Sequence, residues 1–166
     1  MKTFIKQNWF KLLIGFGVVL LSIVSFLYLQ IVRQQQDKIN KIVAQEKCAQ
    51  EAKTFFDYFV TDPQFKQSAE LSNHYNRKFD KCFVLIKTYN QVNTAGFLSV
   101  GSNNDLYDAV ERKVYGSYSW MSEQNKKYWD VPPLWCDMYP DGNKSNHQTC
   151  KSEEEFYKFV DAHMND

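Results

Sequence analysis

Glycine and proline are scarce in this 166-residue sequence, which contains 6 glycines and 4 prolines. Neither residue occurs between Gly17 and Pro63. Because these two residues most often end or kink a helix, their absence removes the usual local signals for a break over this stretch. The sequence therefore predicts two helical segments in direct succession, an apolar one followed by an amphipathic one.

Charged residues are missing from one long segment. None of the 21 residues from Leu12 to Val32 is charged. As a helix rising 1.5 Å per residue, the segment spans about 31 Å, close to the roughly 30 Å hydrocarbon thickness of a bilayer. Trp9 and Tyr28 lie near its two ends, where amphipathic rings favour the headgroup region. We predict that residues 12–32 cross a lipid bilayer once, after a cytoplasmic tail of residues 1–11.

The segment also lacks the features of a cleaved signal peptide. Its apolar part is longer than a signal h-region, and no small-x-small cleavage site follows it. Three lysines precede it and three basic residues follow shortly after, so the charge bias is nearly balanced. All four cysteines lie beyond the segment, which favours an oxidising compartment. We therefore predict an uncleaved signal anchor, with residues 33–166 outside the cytoplasm.

The four cysteines, Cys48, Cys82, Cys136 and Cys150, allow three disulfide pairings. We favour Cys48–Cys82, because that bond would join the amphipathic helix to the first strand. Cys136–Cys150 would then close a loop of about 15 residues, which has little apolar content of its own.

The amphipathic segment carries apolar side chains at helical spacing. This stripe predicts a helix that packs on a sheet, with Ala49, Ala52 and Phe56 against Phe83 and Leu85. A partner-binding coiled coil is the alternative interpretation. Asp62–Pro63 is expected to end the helix. The stripe consists of Ile39, Ile42, Val43, Ala49, Ala52, Phe56, Phe59 and Val60.

Strand patterns follow this helix. Residues 81–89 form a continuous apolar run that predicts a central strand. Residues 106–110 and 114–120 flank a short charged segment and predict a hairpin. Residues 90–104 are expected to be mostly loop, with a possible edge strand at 97–100. Residues 122–146, which contain prolines and a Pro-Asp-Gly-Asn turn, are expected to be irregular.

The C-terminal residues carry a helix signal. Ser152 and Glu155 have the spacing of a capping box, and apolar residues then recur at helical spacing. Taken with the earlier elements, the pattern predicts an α+β domain with a small antiparallel meander of about three strands, two helices and two disulfides.

Motifs of catalysis, zinc binding and nucleic-acid binding are absent from the sequence. There is no Gly-x-Ser-x-Gly elbow, and the cysteines lack zinc-ligand spacing. Beyond the predicted span, 17 basic residues face 19 acidic ones, with no basic tract. We therefore expect no enzymatic activity, no cofactor and no nucleic-acid partner.

One weak metal candidate remains. Asp141, Asn143 and Ser145 match positions 1, 3 and 5 of a calcium loop. Asn146 and Ser152 stand where that loop has glycine and glutamate, so a simple turn accounts for the same residues.

The excess of aromatic residues is the feature that points most directly to binding. Exposed rings can stack on sugars or form a protein interface, whereas buried rings would only fill the core. The candidate binding surface is His74, Tyr118, Trp120, Trp129 and Trp135. We expect a non-enzymatic interaction domain for an envelope protein or a cell-wall glycan. The alternative is an envelope hydrolase or redox enzyme with an unrecognised site.

Four sequence segments carry a resemblance. They are His74–Lys78, Lys81–Val84, Leu106–Ala109 and Cys150–Phe156. Together they resemble a group of envelope-anchored bacterial domains over roughly residues 45–165. The resemblance implies an anchored envelope domain, but it carries over no activity and no site residue.

The general plan is also similar to that of a type IV pilin, in which an apolar helix runs into an amphipathic one before a sheet and a disulfide loop. The chain departs from pilins because it lacks the glycine processing site followed by Phe-Thr-Leu-Ile-Glu. A pilin-like assembly subunit is therefore a further alternative.

The topology leads to a first prediction. If residues 1–11 lie inside and residues 33–166 outside, protease added to intact spheroplasts should remove the C-terminal domain. Immunoblotting with antibodies against each end would measure this. Full protection of the domain until the membrane is lysed would contradict the predicted orientation.

Overall fold

The computed structural model of the chain describes residues 2–61, 68–94 and 97–165. It comprises two compact units, Met1–Val43 and Ala44–Asp166. Helix α1 extends over Lys2–Phe59 and contributes to both units. The predicted helix end at Asp62–Pro63 lies outside the described residues, and α1 has already ended at Phe59.

The N-terminal unit is helical and includes the predicted membrane span. Here α1 is long and apolar enough to cross a membrane, and the most apolar part of it is not buried within the structure. Leu21, Val24 and Phe26, for example, are 69%, 62% and 61% exposed. Such a continuous apolar surface is unfavourable in water, whereas lipid tails solvate it.

The C-terminal unit contains one six-stranded sheet and a second helix. The strands lie in chain order, and every neighbouring pair is antiparallel. This confirms the α+β class. The elements are β1 (Ala69–Asn76), β2 (Lys81–Thr94), β3 (Phe97–Asp108), β4 (Lys113–Met121), β5 (Trp135–Met138), β6 (Gln148–Thr149) and α2 (Glu153–Met164).

The expected number of about three strands is wrong, because polar segments extend the sheet. Strand β1 has the sequence AELSNHYN, which lacks an apolar stripe but pairs along its length with β2. Residues 90–94 and 97–104, expected to be mostly loop, pair with each other or with β4. Strand β5 lies within the segment expected to be irregular. The hydrogen bonds between neighbouring strands join backbone N–H and C=O groups. They can therefore form between polar segments as well as between apolar ones.

The last turns of α1 pack on one face of the sheet. Of the predicted stripe, Ala52, Phe56 and Val60 are buried, whereas Ala49 and Phe59 are exposed, as are the three residues 39, 42 and 43 of the N-terminal unit. The expected contact with Phe83 and Leu85 is wrong. Because side chains alternate along a strand, the residues that share a core with α1 are instead Cys82, Val84, Ile86 and Tyr107.

The opposite face of the sheet packs against α2. Phe83 and Leu85 lie in this second core with Phe156 and Val160 of α2. Gly116 of β4 makes close packing possible, since a Cβ there would lie 3.1 Å from the rings of both Phe156 and Phe159.

The predicted helix cap is confirmed, with one difference from a standard capping box. The Ser152 hydroxyl accepts a hydrogen bond from the Glu155 N–H at 3.2 Å. The Glu155 carboxylate accepts from the N–H of Lys151 at 2.8 Å, one residue before the position that a capping box uses.

The disulfides have the favoured pairing. Cys48–Cys82 joins α1 to β2, with a Cα separation of 5.2 Å. Cys136–Cys150 joins β5 to the residue after β6, with a Cα separation of 5.3 Å. Both sulfurs of the second pair lie in the core under α2. The loop that it closes therefore has more core than the sequence suggested.

The two disulfides should have local effects that differ. Replacing Cys136 and Cys150 with serine should raise amide exchange in β5, β6 and α2, because that bond lies in their shared core. Replacing Cys48 and Cys82 should raise it in residues 44–59 and in β1 and β2. Each loss should cost about 2–4 kcal/mol of unfolding free energy. Hydrogen exchange measured by mass spectrometry tests this, and identical, uniform increases in the two double variants would contradict it.

Candidate functional site

A cleft rich in aromatic residues lies on the α2 side of the sheet. Three segments form it: strand β4, the loop between β4 and β5, and the residues at the start of α2. We call it the aromatic cleft, and its volume is about 490 Å³. Its lining residues are Tyr118, Trp120, Tyr128, Trp129, Asp130, Val131, Pro132, Pro133, Lys151, Ser152, Glu153 and Glu154.

The base of the aromatic cleft is held in place by specific contacts. The Trp120 indole N–H donates to the Val131 carbonyl at 3.1 Å, and its ring lies 4.6 Å from that of Tyr128. Tyr118 is 2% exposed, and its ring lies 5.5 Å from that of Phe156. Because these rings are fixed before any ligand arrives, little side-chain entropy would be lost on binding.

The outer part of the cleft exposes ring surface. Trp129 is 74% exposed and Tyr128 is 50% exposed. The Lys127 ammonium lies 5.3 Å from the centre of the Trp129 ring, so one basic group already contacts this platform. Rings this exposed contribute little to the core and are available for stacking.

Carboxylates surround the rings. Asp130, Glu153 and Glu154 line the cleft, whereas Lys151 is its one basic lining residue. The Tyr128 hydroxyl donates a hydrogen bond to Glu153, which links the loop to the start of α2. Burial and the negative charge of Glu153 raise the pKa of Tyr118 to about 12, so its hydroxyl stays protonated at neutral pH.

The other two residues of the predicted binding surface lie elsewhere. Trp135 is on β5, and its indole N–H donates to the Ser117 hydroxyl at 3.3 Å. His74 is half-buried on β1, opposite Phe83 of β2, and does not line the aromatic cleft. The structure thus brings three of the five predicted residues together in the aromatic cleft.

The weak calcium candidate forms two successive turns. The Asp141 carboxylate accepts a hydrogen bond from the Asn143 backbone N–H at 2.8 Å. The Asn143 side-chain oxygen accepts one from the Ser145 backbone N–H at 3.1 Å. Within the described ranges, no three His, Cys, Asp or Glu side chains lie close enough together to hold a metal ion.

A second cleft, on the α1 side of the sheet, was not predicted. We call it the Asp105 cleft, and its volume is about 450 Å³. The Ser117 hydroxyl donates to the Asp105 carboxylate at 2.5 Å, and burial raises the pKa of that carboxyl despite this hydrogen bond. Its lining residues are Phe59, Val60, Thr61, Ile86, Thr88, Asn103, Asp105, Ser117 and Trp135.

Sequence reasoning missed the Asp105 cleft because its residues come from α1 and four different strands. Residues 90–104 were expected to be mostly loop, because they contain Gly96 and Gly101 and end in Ser-Asn-Asn. Asn103, Asn104 and Asp105 are all polar, so the sequence shows no alternation there, although in the structure Asn104 is buried between two more exposed residues. This alternating burial is typical of a strand with one more open face, and it appears only once the strand has formed.

No protein-family model matches the chain, and neither a curated protein nor a solved structure matches it. The resemblance to envelope-anchored domains therefore stays a prediction.

Proposed function

We propose that the unit formed by Ala44–Asp166 is held at a membrane by α1, acts outside the cytoplasm, and binds a cell-wall glycan through the aromatic cleft. The proposal describes a binding module and involves no chemical step. The observation that carries it is the combination of fixed and exposed rings with carboxylates in one concave site.

The membrane and compartment parts of the proposal rest on two features. One helix near the N-terminus is long and apolar enough to span a bilayer. Both disulfides lie in the C-terminal unit, and the described residues contain no free cysteine. Disulfides persist in oxidising compartments and are rare in the cytosol. A membrane-anchored protein whose C-terminal unit lies outside the cytoplasm would account for both the apolar helix and the disulfides.

The ligand class follows from the chemistry of the aromatic cleft. A sugar ring presents a flat C–H face, which packs on an aromatic ring, and a rim of hydroxyl groups, which donate to carboxylates. Trp129 and Tyr128 offer the rings, while Asp130 and Glu154 offer exposed acceptors. A glycan can use both kinds of group at once in a single cleft.

A protein partner would use the same rings differently. Protein interfaces bury an apolar centre that is depleted of charged residues. In the aromatic cleft, by contrast, carboxylates of Asp130, Glu153 and Glu154 lie among the aromatic lining residues. This mixture favours a hydroxyl-rich ligand over a protein surface.

The glycan proposal predicts the effect of removing one ring. Full-length protein in detergent should co-sediment with insoluble peptidoglycan, and Trp129→Ala should weaken this binding about tenfold, since a lost stacking contact costs roughly 1 kcal/mol or more. Trp129 is too exposed for the change to unfold the domain.

The control is Tyr89→Ala, which removes an exposed aromatic ring that lines neither the aromatic cleft nor the Asp105 cleft. It should leave sedimentation unchanged. Equal losses in the two variants would show non-specific adhesion and contradict the proposal. The proposal would also be contradicted if the protein bound no glycan and instead a partner protein co-purified with the unmodified chain but not with Trp129→Ala.

A further inference from the structure

The Asp105 cleft contains polar groups whose hydrogen-bonding capacity is largely unused. Thr88 and Asn103 are half-buried in its lining, yet in the described part of the chain neither side chain makes a hydrogen bond. Asp105 has one partner, the Ser117 hydroxyl. Buried polar groups normally find partners, and here Asp105 lies beside Thr88 and Asn103, whose side chains can still donate to or accept from a ligand in the same concave site.

The Asp105 cleft carries a negative charge and no described positive one. Among the described residues that line the cleft, Asp105 is the only one with an ionisable side chain and none is basic. A carboxylate removed from water without a positive partner is unfavourable, which is why burial raises its pKa. The nearby phenol of Tyr107 has its pKa raised by burial and by the Asp105 charge, so it adds no charge at neutral pH.

Aromatic surface lies beside this carboxylate. Trp135 is 50% exposed and Phe59 is 47% exposed, and both line the cleft. The Trp135 ring is oriented by its hydrogen bond to Ser117, the same hydroxyl that donates to Asp105. An aromatic ring attracts a cation to its face and also packs against an aliphatic chain.

We propose that the Asp105 cleft is a second binding site, which takes an ammonium or guanidinium group carried on a short aliphatic chain. The cation pairs with Asp105, its remaining N–H groups donate to Asn103 and Thr88, and its aliphatic part lies against Trp135 and Phe59. An anion would be repelled by Asp105. A single carboxylate without further Asp, Glu, His or Cys ligands is also a poor metal site.

The inference does not depend on the proposed glycan site, because the clefts share no lining residue. It is tested on full-length protein in detergent micelles with four probes of one chain length: n-butylammonium, n-butylguanidinium, n-butanol and butyrate. The signals to follow at neutral pH are the Trp135 indole N–H and the Asn103 side-chain amide in nitrogen-resolved NMR spectra.

The two cationic probes should shift both signals in a saturable manner, whereas n-butanol and butyrate should not. Asp105→Asn should weaken cation binding at least tenfold. The matched control is Glu123→Gln, which also converts a carboxylate to an amide but lies outside both clefts, where Glu123 pairs with Lys126. It should bind as the unmodified protein does.

Loss of folding would not explain a loss of binding in Asp105→Asn. Because the folded-state pKa of Asp105 is raised, its contribution to stability is complete at low pH and is lost as the pH rises through that pKa. Removing the charge should therefore leave the melting temperature at neutral pH unchanged or higher.

Two sources of the cation can be separated in the same titrations. A blocked lysine or arginine amide that binds more tightly than the butyl probes would identify a peptide side chain, and weaker binding would identify a free amine. The inference would be overturned by equal binding of n-butanol and butylammonium, by unchanged binding in Asp105→Asn, or by shifts that do not saturate.

Discussion

The disulfide between Cys48 and Cys82 determines how the two faces of the sheet are used. Because Cys82 points to α1, alternation along β2 places Val84 and Ile86 on the same side and Phe83 and Leu85 on the other. The second face is then available for α2. Each cleft lies beside the end of a helix: the Asp105 cleft next to the last turn of α1, and the aromatic cleft at the first turn of α2.

Features encoded locally in the sequence could be predicted. Four of these features each depend on a short sequence pattern: the apolar helix, the strand at 81–89, the β3–β4 hairpin and the Ser152 cap. The disulfide pairing could be predicted because four cysteines allow only three pairings. Strand β1 could not, because its polar residues pair through the backbone without an apolar signature, and β5 could not, because its four residues lie within a segment rich in prolines and turn residues. Phe83 and Leu85 were wrongly placed on the sheet face that packs against α1. Because neighbouring side chains on a strand point to opposite faces, a disulfide from Cys82 to α1 already places Phe83 on the other face.

The candidate sites were predictable only in part. Aromatic enrichment pointed to Tyr118, Trp120 and Trp129, which the structure brings together. Asp130 follows Trp129 in the same loop, whereas Glu153 and Glu154 come from the start of α2, and no sequence pattern links that loop to α2. The lining of the Asp105 cleft depends on which residues of the four strands β2 to β5 lie side by side. That register is set when the sheet forms, so the cleft could not be predicted from the sequence.

The arrangement of the two sheet faces depends most on the disulfide that ties α1 to the sheet and on an oxidising compartment in which that bond forms. Peptide mapping of the full-length protein, isolated from cells with its thiols blocked and without reductant, measures both. We predict one linked peptide pair containing Cys48 and Cys82, another containing Cys136 and Cys150, and no blocked thiol. Four blocked thiols, or a Cys48 peptide linked to Cys136 or Cys150, would contradict the account.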